Sequence, residues 1–322
     1  MTKIKWGILG AANIAKTAVI PAILESENGK LYAIASRGGN KLEGFQHFNA
    51  QKYYDSYEKL LADPEVEAIY IPLPNGFHKE WCLKALRQKK HVLCEKPLAL
   101  NASEVREMQE TATQNGVILM EAFAYLHSPA IWKLKEVIQS GAIGWVKYIH
   151  SSFTFLMEGD SDVRLDPAIG GGVIYDLGCY TMSLARYLLN EEPIKVQVLP
   201  TSLNGVDTDV AFQALFERGV KMSSYVSFGA EYHTNGIIFG EKGRIEMNFR
   251  YNEGGELSFD VVTPAKKETI MVTARNNYTL EVEQLGRAIR LGEAPHIDLE
   301  FSLNNSKALD LLLEAVKKSI LD

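Results

Sequence analysis

The fold of the N-terminal region is decided by the stretch Gly7-Ile8-Leu9-Gly10-Ala11-Ala12-Asn13-Ile14-Ala15. It follows a short apolar run and precedes a segment of helical periodicity, where a strand turns into a helix. Aligned on a phosphate-binding loop it reads Gly10-x-Ala12-x-x-Ala15, with alanine in place of two of the three glycines. Small residues let the backbone approach a pyrophosphate, whose charge meets the N–H groups of the helix N-terminus. The stretch predicts a dinucleotide-binding loop; a strand-to-helix turn without a ligand is the alternative.

Short β-branched runs alternate with helical stretches over about the first 120 residues, which is typical of βαβ units around a parallel sheet. We predict six strands, near Ile4–Leu9, Leu31–Ser36, Gln51–Tyr54, Ala68–Ile71, His91–Cys94 and Val117–Met120. The intervening helices are expected to begin near Ala12, Asn40, Ser56, Phe77 and Ala102. This strand count matches a doubly wound Rossmann sheet, so that residues 1–122 are predicted to form a dinucleotide-binding domain.

The pattern changes after Glu121, where longer alternating segments predict an antiparallel sheet. Helical periodicity predicts one or two helices over Ser128–Gln139 and two closing helices, about Leu280–Leu291 and Leu303–Ile320. The predicted strands are Val210–Phe216, Val220–Phe228, Gly236–Phe239, Arg244–Met247, Leu257–Val262 and Thr269–Thr273. We therefore expect residues 123–322 to form an α+β domain with an open, mainly antiparallel sheet.

The composition is typical of a two-domain globular protein with a small-molecule partner. The chain has 322 residues, 46% hydrophobic and 10% aromatic, which is ample for packed cores. Lys and Arg number 34 and Asp and Glu number 40, so that the net charge is −6, and the sequence has no basic run. This charge argues against nucleic acid or an anionic membrane as the partner.

The cysteines and the N-terminus favour a cytoplasmic protein. Cys82, Cys94 and Cys179 form neither a Cys-x-x-Cys pair nor a Cys/His cluster, which indicates reduced thiols and no metal site. The N-terminus leads directly into the glycine motif without the apolar core of a signal peptide. No uncharged apolar stretch approaches the roughly 18 residues needed to span a bilayer.

The end of the second predicted strand bears on the choice of cofactor. An NAD enzyme usually presents Asp or Glu to the ribose hydroxyls there, whereas this chain has Ser36 and Arg37. A hydroxyl and a guanidinium suit a 2′-phosphate, and the guanidinium can also lie flat on an adenine ring. We therefore favour NADP(H) over NAD(H), with a solvated loop arginine as the alternative reading of Arg37.

Two further segments follow buried strands, and the carboxyl ends of parallel strands line the ligand crevice of a doubly wound sheet. The first segment contains Pro72, Leu73, Pro74, Asn75 and His78, and the second contains Glu95 and Lys96. We expect both to face the nicotinamide half of the cofactor. A lysine at that edge can hydrogen-bond a substrate hydroxyl and stabilise it during hydride departure. An exposed lysine paired with Glu95 is the alternative.

These motifs resemble those of the glucose-fructose oxidoreductase, inositol dehydrogenase and rhizopine-catabolism (Gfo/Idh/MocA) oxidoreductases over nearly the whole chain. The resemblance rests on the loop motif, on Pro72-x-Pro74-Asn75-x-x-His78, on Glu95-Lys96-Pro97, and on Gly170-Gly171-Gly172-x-x-x-Asp176-x-Gly178-x-Tyr180. It implies a Rossmann domain followed by a domain whose open sheet forms the contact of a homodimer or homotetramer. It also implies hydride transfer between a nicotinamide cofactor and a sugar or polyol, with Lys96 in the active site. The expected cofactor-binding residues are Gly10, Ala11, Ala12, Asn13, Ile14, Ser36, Arg37, Pro72, Leu73, Pro74, Asn75, His78, Glu95 and Lys96.

The glycine segment also has a physical interpretation. Three glycines allow unusual backbone angles close to a ligand before a helix begins near Tyr175. Asp176 and Tyr180 are four residues apart and therefore share one helix face. A tyrosine beside Lys96 is a plausible proton donor or acceptor, because the lysine charge lowers the pKa of the phenol. An amphipathic packing role for Tyr180 is the alternative.

Weaker candidates for the substrate pocket are Tyr125 and Arg164, with an ordinary surface ion pair as the alternative for Arg164. Relatives often carry arginine and histidine where this chain has Leu126 and Ser128, which predicts a less polar pocket. We read His127 and His233 as structural.

The sequence thus predicts an NADP(H)-dependent oxidoreductase acting on a secondary alcohol or carbonyl of a sugar, sugar derivative or cyclic diol. Tyr180 is the expected acid or base, Lys96 orients the substrate, and Asp176 binds a neighbouring hydroxyl. The alternative is a non-catalytic, cofactor-binding sensor of the same fold, because fold does not fix activity.

Overall fold

The computed structural model describes residues 2–159 and 162–321, which form two compact units. The first unit extends to His127 and also contains Asn276–Leu303. The second consists of Ser128–Arg275 and the segment from Asn304 onward. Among the described residues, no helix is both long enough and apolar enough to cross a membrane.

The first unit contains a six-stranded sheet in the order β3-β2-β1-β4-β5-β6, in which every pair is parallel. The order reverses between β1 and β4, which is the switch point where doubly wound sheets bind ligands. The predicted parallel Rossmann sheet is therefore confirmed. Its strands are β1 (Ile4–Leu9), β2 (Gly29–Ala35), β3 (Lys52–Tyr54), β4 (Ala68–Ile71), β5 (His91–Glu95) and β6 (Leu119–Ala122).

The helices of this unit follow the predicted positions with two local differences. The segment expected to be a helix near Asn40 is a 3₁₀ turn at Glu43–Phe48, and the first helix contains a π-helical turn at Ala15–Val19. The α-helices are α1 (Ile20–Glu25), α2 (Tyr57–Leu61), α3 (His78–Arg87), α4 (Ala102–Asn115) and, from late in the chain, α7 (Asn277–Leu291). β4 is buried along its whole length, and so is the middle of β5, because the sheet is covered on both faces.

Helix α7, which is part of the first unit, makes polar contacts with the end of α1 and with the α1–β2 connection. The amide of Asn28 donates to the carbonyl oxygen of Glu283 at 2.7 Å. Thr279 Oγ1 donates to a carboxylate oxygen of Glu25 at 2.8 Å. These bonds join residues about 255 positions apart in the chain, so the first unit is assembled from both ends of the sequence.

The second unit contains an eight-stranded sheet in the order β14-β13-β12-β11-β7-β10-β9-β8. β7 and β10 are parallel and the other neighbours are antiparallel, which confirms the mainly antiparallel prediction. The strands are β7 (Val146–Leu156), β8 (Pro193–Leu203), β9 (Val206–Phe216), β10 (Lys221–Ser227), β11 (Gly229–Gly240), β12 (Arg244–Met247), β13 (Gly255–Val262) and β14 (Lys267–Ala274). The other helices are α5 (Pro129–Gln139), α6 (Cys179–Leu189) and α8 (Leu299–Leu321).

Sequence patterns did not predict β7 or β8. The central strand β7 buries Ser151, Ser152 and Thr154. Their hydroxyls donate to Asn235 or Glu231 on β11, so this strand is buried although its sequence is polar. The edge strand β8 contains two prolines, which only an edge strand or a strand's first residue tolerates.

Candidate active site

The predicted phosphate loop is held at the carboxyl ends of β1 and β2. Gly10 has φ 132°, and its N–H donates to the carbonyl oxygen of Ala35 at 3.1 Å. This positive φ favours glycine, and a Cβ atom here would also lie 2.9 Å from Leu73 Cδ2. The neighbouring residues Ala11, Ala12 and Asn13 line an open cleft of about 650 Å³.

Residues from the segment 40–45 also line this cleft. Its charged lining residues are two lysines, Lys16 and Lys41, and one acid, Glu43. Cationic side chains beside a small-residue loop are suited to the phosphates of a dinucleotide. The residues present therefore fit a nicotinamide dinucleotide. Sequence reasoning missed both lysines, although each lies within six residues of a motif that it did identify.

Ser36 and Arg37 follow β2 directly. Ser36 is buried, and its backbone N–H donates to Tyr54 of β3 at 3.0 Å. The exposed guanidinium of Arg37 lies 5.8 Å from the ring centre of Tyr57 and 5.5 Å from that of Phe77. Two aromatic rings thus flank this cation just after β2. The last residue of the same strand, Ala35, accepts the hydrogen bond from Gly10.

His78 joins the two segments that were predicted to face the nicotinamide. Its Nδ1 lies 2.9 Å from the carbonyl oxygen of Pro97, and its Nε2 lies 2.7 Å from that of Leu73. The imidazole is fully buried, and this burial lowers the pKa of His78. A neutral imidazole donates from one nitrogen only, so one of the two contacts is not a full hydrogen bond. The ring nevertheless fixes the spacing of the two segments.

The backbone around Lys96 is held by further side chains on both sides. Tyr70 Oη donates to Glu95 Oε1 at 2.5 Å, and the backbone N–H of Leu98 donates to Glu121 Oε1 at 2.8 Å. The peptide bond between Lys96 and Pro97 is cis. Together with His78, these contacts give residues 95–98 a defined conformation at the carboxyl edge of the sheet.

A second buried carboxyl group lies near Glu95. Glu281 of α7 is completely buried, and burial followed by the nearby Glu95 charge raises the pKa of Glu281 well above its usual range. Burial, and then the same carboxylate, raise the pKa of Tyr70. The hydrogen bond from Tyr70 to Glu95 is therefore stable at neutral pH. Neither motif nor spacing predicts these two partners of Glu95, because both reach it from other segments of the chain.

In the second unit, Asp176 lies in a π-helical turn, Ile174–Gly178, which leads into α6. Oδ2 of Asp176 accepts a hydrogen bond from Arg164 Nε at 2.6 Å. The backbone N–H of Gly172 donates to the carbonyl oxygen of Arg164 at 2.9 Å, so the glycine segment and the arginine form one structure. Sequence analysis had treated Asp176 and Arg164 as separate candidates, and the structure pairs them.

Asp207 of β9 holds the start of this turn. Its Oδ2 accepts a hydrogen bond from the backbone N–H of Ile174 at 2.8 Å. Gly172 has φ 135°, and a Cβ there would lie 2.5 Å from Asp207 Oδ1. The third glycine of the motif is therefore needed to let the carboxylate reach the turn. Burial raises the pKa of Asp207 to about 6, against the opposing effect of the backbone hydrogen bonds.

Tyr180 lies on α6 within a cluster of aromatic rings. Its ring centre is 5.3 Å from those of both Phe153 and Tyr251. Its hydroxyl oxygen accepts a hydrogen bond from Nδ2 of Asn252 at 3.3 Å. Only 8% of the residue is exposed, so that packing holds the ring and the asparagine contacts the hydroxyl. Sequence analysis did not identify Asn252, because it is 72 residues away from Tyr180.

The weaker candidates and the histidines lie in different surroundings. Tyr125 is 1% exposed and packs edge-on against Phe123 at 6.0 Å, and its role in substrate binding stays a prediction. His127 is buried and stacks on His296, and burial lowers the pKa of His127 to about 3. No group of three or more His, Cys, Asp or Glu side chains within 2–159 and 162–321 is arranged to hold a metal ion.

Comparison with known proteins identifies the family. Residues 4–123 match the oxidoreductase family with an NAD-binding Rossmann fold, and residues 131–246 match the GFO/IDH/MocA C-terminal domain. The chain belongs to the GFO/IDH/MocA oxidoreductase family. It is 35% identical over 320 residues to a D-xylose 1-dehydrogenase (NADP⁺) of Haloferax volcanii, covering 97% of each chain. It is 34% identical over 249 residues to a mouse trans-1,2-dihydrobenzene-1,2-diol dehydrogenase, covering 76% and 74% of the two chains.

Solved structures agree with this assignment to the GFO/IDH/MocA family. A 3-ketoreductase from Actinomadura kijaniata, in complex with NADP and TDP-benzene, superposes with a TM-score of 0.90 at 27% identity over 96% of each chain. An aldose-aldose oxidoreductase from Caulobacter crescentus superposes with a TM-score of 0.91 at 22% identity over 98% of each chain, which shows the shared fold. The predicted resemblance is confirmed, and the chain is a dehydrogenase or reductase with an NAD(P)-binding Rossmann fold.

Proposed function

We propose that this GFO/IDH/MocA protein is an NADP(H)-dependent oxidoreductase that transfers a hydride between nicotinamide and a secondary alcohol or carbonyl. The substrate is a sugar, a sugar derivative or a cyclic diol. The observation that carries the proposal is the clamped conformation of residues 95–98, which places Lys96 at the carboxyl edge of a dinucleotide-binding sheet. Relatives named for D-xylose and for dihydrobenzene diols support the substrate class.

The cofactor, when bound, supplies or accepts the hydride. The loop at Gly10–Ile14 would hold its pyrophosphate, and Ser36 and Arg37 would hold its 2′-phosphate. The cation held between Tyr57 and Phe77 supports this preference, because a guanidinium binds a phosphate bidentately and the chain has no acidic residue at that position. Pro72, Leu73, Pro74, Asn75, His78 and Glu95 shape the nicotinamide side.

Lys96 binds the substrate oxygen and stabilises the negative charge that develops on it. A lysine provides this stabilisation best when its backbone does not have to rearrange during the reaction. The Tyr70–Glu95 hydrogen bond and the His78 ring, which fix residues on either side of Lys96, support that role. A positioned ammonium group of this kind contributes in the same way whether the alcohol is oxidised or the carbonyl reduced.

Tyr180 moves the proton and Asp176 binds a neighbouring substrate hydroxyl. In carbonyl reduction the hydroxyl of Tyr180 gives its proton to the substrate oxygen; in alcohol oxidation the phenolate takes it back. The rings of Phe153 and Tyr251 restrict the orientation of Tyr180. Arg164 restricts the orientation of Asp176 in the same manner.

We also propose that the protein works in the cytoplasm as a homodimer or homotetramer. All three cysteines are buried and carry thiols rather than disulfides, as expected for a reducing compartment. Leu199 and Tyr225 share one face of the second sheet, because both are paired through Ala211, and both are exposed. The opposite face buries Ile149. A second copy of the chain would cover the exposed apolar face.

The test is an absorbance assay with NADP⁺ and a panel of aldoses and trans-1,2-diols. We expect reduction of NADP⁺ with at least one of them, and a loss of kcat of at least about a hundredfold in Lys96→Met at saturating NADP⁺. Lys30→Met, which changes an exposed lysine of β2, is the matched control. Full turnover in Lys96→Met would refute the role of the lysine. NADPH binding without turnover on any substrate would favour the sensor function.

A further inference from the structure

The connection between β12 and β13 brings an amide group to the hydroxyl of Tyr180. Nδ2 of Asn252 donates to Tyr180 Oη at 3.3 Å. Asn252 has φ 55°, in the left-handed region that asparagine tolerates better than most residues. The backbone conformation and the hydrogen bond therefore both favour asparagine at this position.

The neighbouring residue fixes this connection against the sheet. Tyr251 is buried, and its hydroxyl is hydrogen-bonded to Ser151 Oγ of β7 at 2.8 Å. Its ring stacks on Phe153 at 5.4 Å and lies 5.3 Å from Tyr180. Asn252 is thus held by a packed aromatic residue beside it, and its amide does not need to be ordered when Tyr180 changes its protonation state.

We propose that Asn252 is a positioning residue that stabilises the anionic form of the Tyr180 hydroxyl. A hydrogen bond from an N–H group to an oxygen becomes stronger when that oxygen is negatively charged. Such a bond therefore favours the phenolate over the phenol. The inference rests on the proposed function, because it concerns the proton that Tyr180 transfers. Neither a motif nor its spacing in the sequence indicates that Asn252 takes part in the reaction.

The proton balance shows where the amide acts. In carbonyl reduction the carbonyl carbon gains a C–H bond from the hydride, and the electron pair of the C=O π bond moves to oxygen. That oxygen forms a bond to the proton of Tyr180, and the O–H bond of the tyrosine breaks. The resulting phenolate is the species that Asn252 Nδ2 stabilises, until a proton from solvent restores the phenol. Alcohol oxidation runs through the same steps in reverse.

Other ionisable groups around Tyr180 also affect its titration. Tyr251 packs against Tyr180 and is itself affected by Cys179, and Asp176 lies one turn back in its pair with Arg164. Arg250 and Glu253 lie on the same connection as Asn252 and act on Tyr232, while Asp207 caps the turn that precedes α6. A variant that changes the Asn252 amide alone leaves all of these groups in place.

The test is a spectroscopic titration of Tyr180 in the full chain. The phenolate absorbance of each protein minus that of its Tyr180→Phe counterpart isolates this tyrosine. Asn252→Gly suits the left-handed backbone and removes only the amide. We expect it to raise the pKa of Tyr180 by about one unit, the equivalent of one hydrogen bond to a charged group. Asn252→Asp is expected to raise it further, because it adds a negative charge.

The matched control is Asn204→Gly, which changes an exposed asparagine at φ 53° in the β8–β9 turn, and it should leave the pKa of Tyr180 unchanged. An unchanged pKa in Asn252→Gly would overturn the inference. So would a lower pKa, which would mean that the amide oxygen accepts the tyrosine proton. The titration needs no substrate, so it fails separately from the proposed function. With an active substrate, the pH profile of kcat should shift in the same direction.

Discussion

The guanidinium of Arg164 and the carboxylate of Asp176 form an ion pair at 2.6 Å, although they lie 12 residues apart on either side of the glycine segment. The side chain of Asp176 is 15% exposed and that of Arg164 is 41% exposed, so solvent reaches the arginine more readily. We therefore expect Arg164 to orient the carboxylate that we propose as a substrate ligand.

Arg164→Met should therefore raise KM more than it lowers kcat. We expect KM to rise about tenfold, roughly 1.4 kcal/mol, because an unheld carboxylate binds a substrate hydroxyl less well. NADPH affinity should not change. The control is Arg218→Met. Arg218 lies in the β9–β10 turn and forms an ion pair with Glu191, which follows α6. Steady-state kinetics check this, and a KM equal to that of the unmodified protein would contradict the positioning role.

Arg37→Ala should weaken NADPH binding by about tenfold to a hundredfold and leave NADH binding nearly unchanged. The physical reason is the loss of charged hydrogen bonds to the 2′-phosphate, about 1.5 to 3 kcal/mol. Fluorescence titration with each cofactor measures both affinities. Arg106→Ala, on the exposed face of α4, is the control. Equal losses for NADPH and NADH would mean that Arg37 does not bind that phosphate.

Gly10→Ala should abolish tight cofactor binding. A Cβ at φ 132° is strained by about 1 to 3 kcal/mol and would also press against Leu73. Gly229→Ala on β11 is a control outside this cleft, because its added Cβ would meet only Ser227 Oγ, at 3.6 Å. Calorimetric NADPH titration of both variants checks this. Normal binding in Gly10→Ala would show that the loop can accept alanine.

Asp207 should make the stability of the protein depend on pH. Its pKa is about 6 in the folded protein and 3.8 as the reference value, so the folded state binds this proton more tightly than the unfolded chain. The contribution of Asp207 to the free energy of unfolding is therefore most favourable below about pH 4, and it is lost as the pH rises to about 6. The change amounts to about 3 kcal/mol.

Asp207→Asn removes this titration and keeps an oxygen that accepts the Ile174 hydrogen bond. The free energy of unfolding of the variant minus that of the unmodified protein should increase by about 3 kcal/mol between pH 4 and pH 7. Urea denaturation at several pH values measures it. A flat profile for Asp207→Asn would contradict the prediction.

Much of the fold could be predicted because its signals are local. β1, β4 and β5 are short apolar runs next to turn residues, and the glycine loop lies directly between β1 and the first helix. β7 could not be predicted, because its buried serines become acceptable only through hydrogen bonds to β11. The two prolines of β8 likewise fit only because that strand lies at the sheet edge.

Lys96 and Arg37 could be proposed from the sequence because each is a charged residue just after a predicted strand, and their roles stay predictions. The groups that hold such residues in place come from distant segments: Glu281 reaches Glu95 from α7, and Asn252 reaches Tyr180 from 72 residues away. Such long-range contacts leave no periodicity or spacing in the sequence, and only the folded structure reveals them.

The most direct test of the central claim is isotope transfer to the cofactor. The protein is incubated with NADP⁺ and aldoses or trans-1,2-diols that carry deuterium at the reacting carbon, and the nicotinamide ring is analysed by mass spectrometry. We predict deuterated NADPH with at least one substrate, and its loss in both Lys96→Met and Tyr180→Phe while NADPH still binds. Tight NADPH binding without deuterium transfer from any substrate would contradict the account.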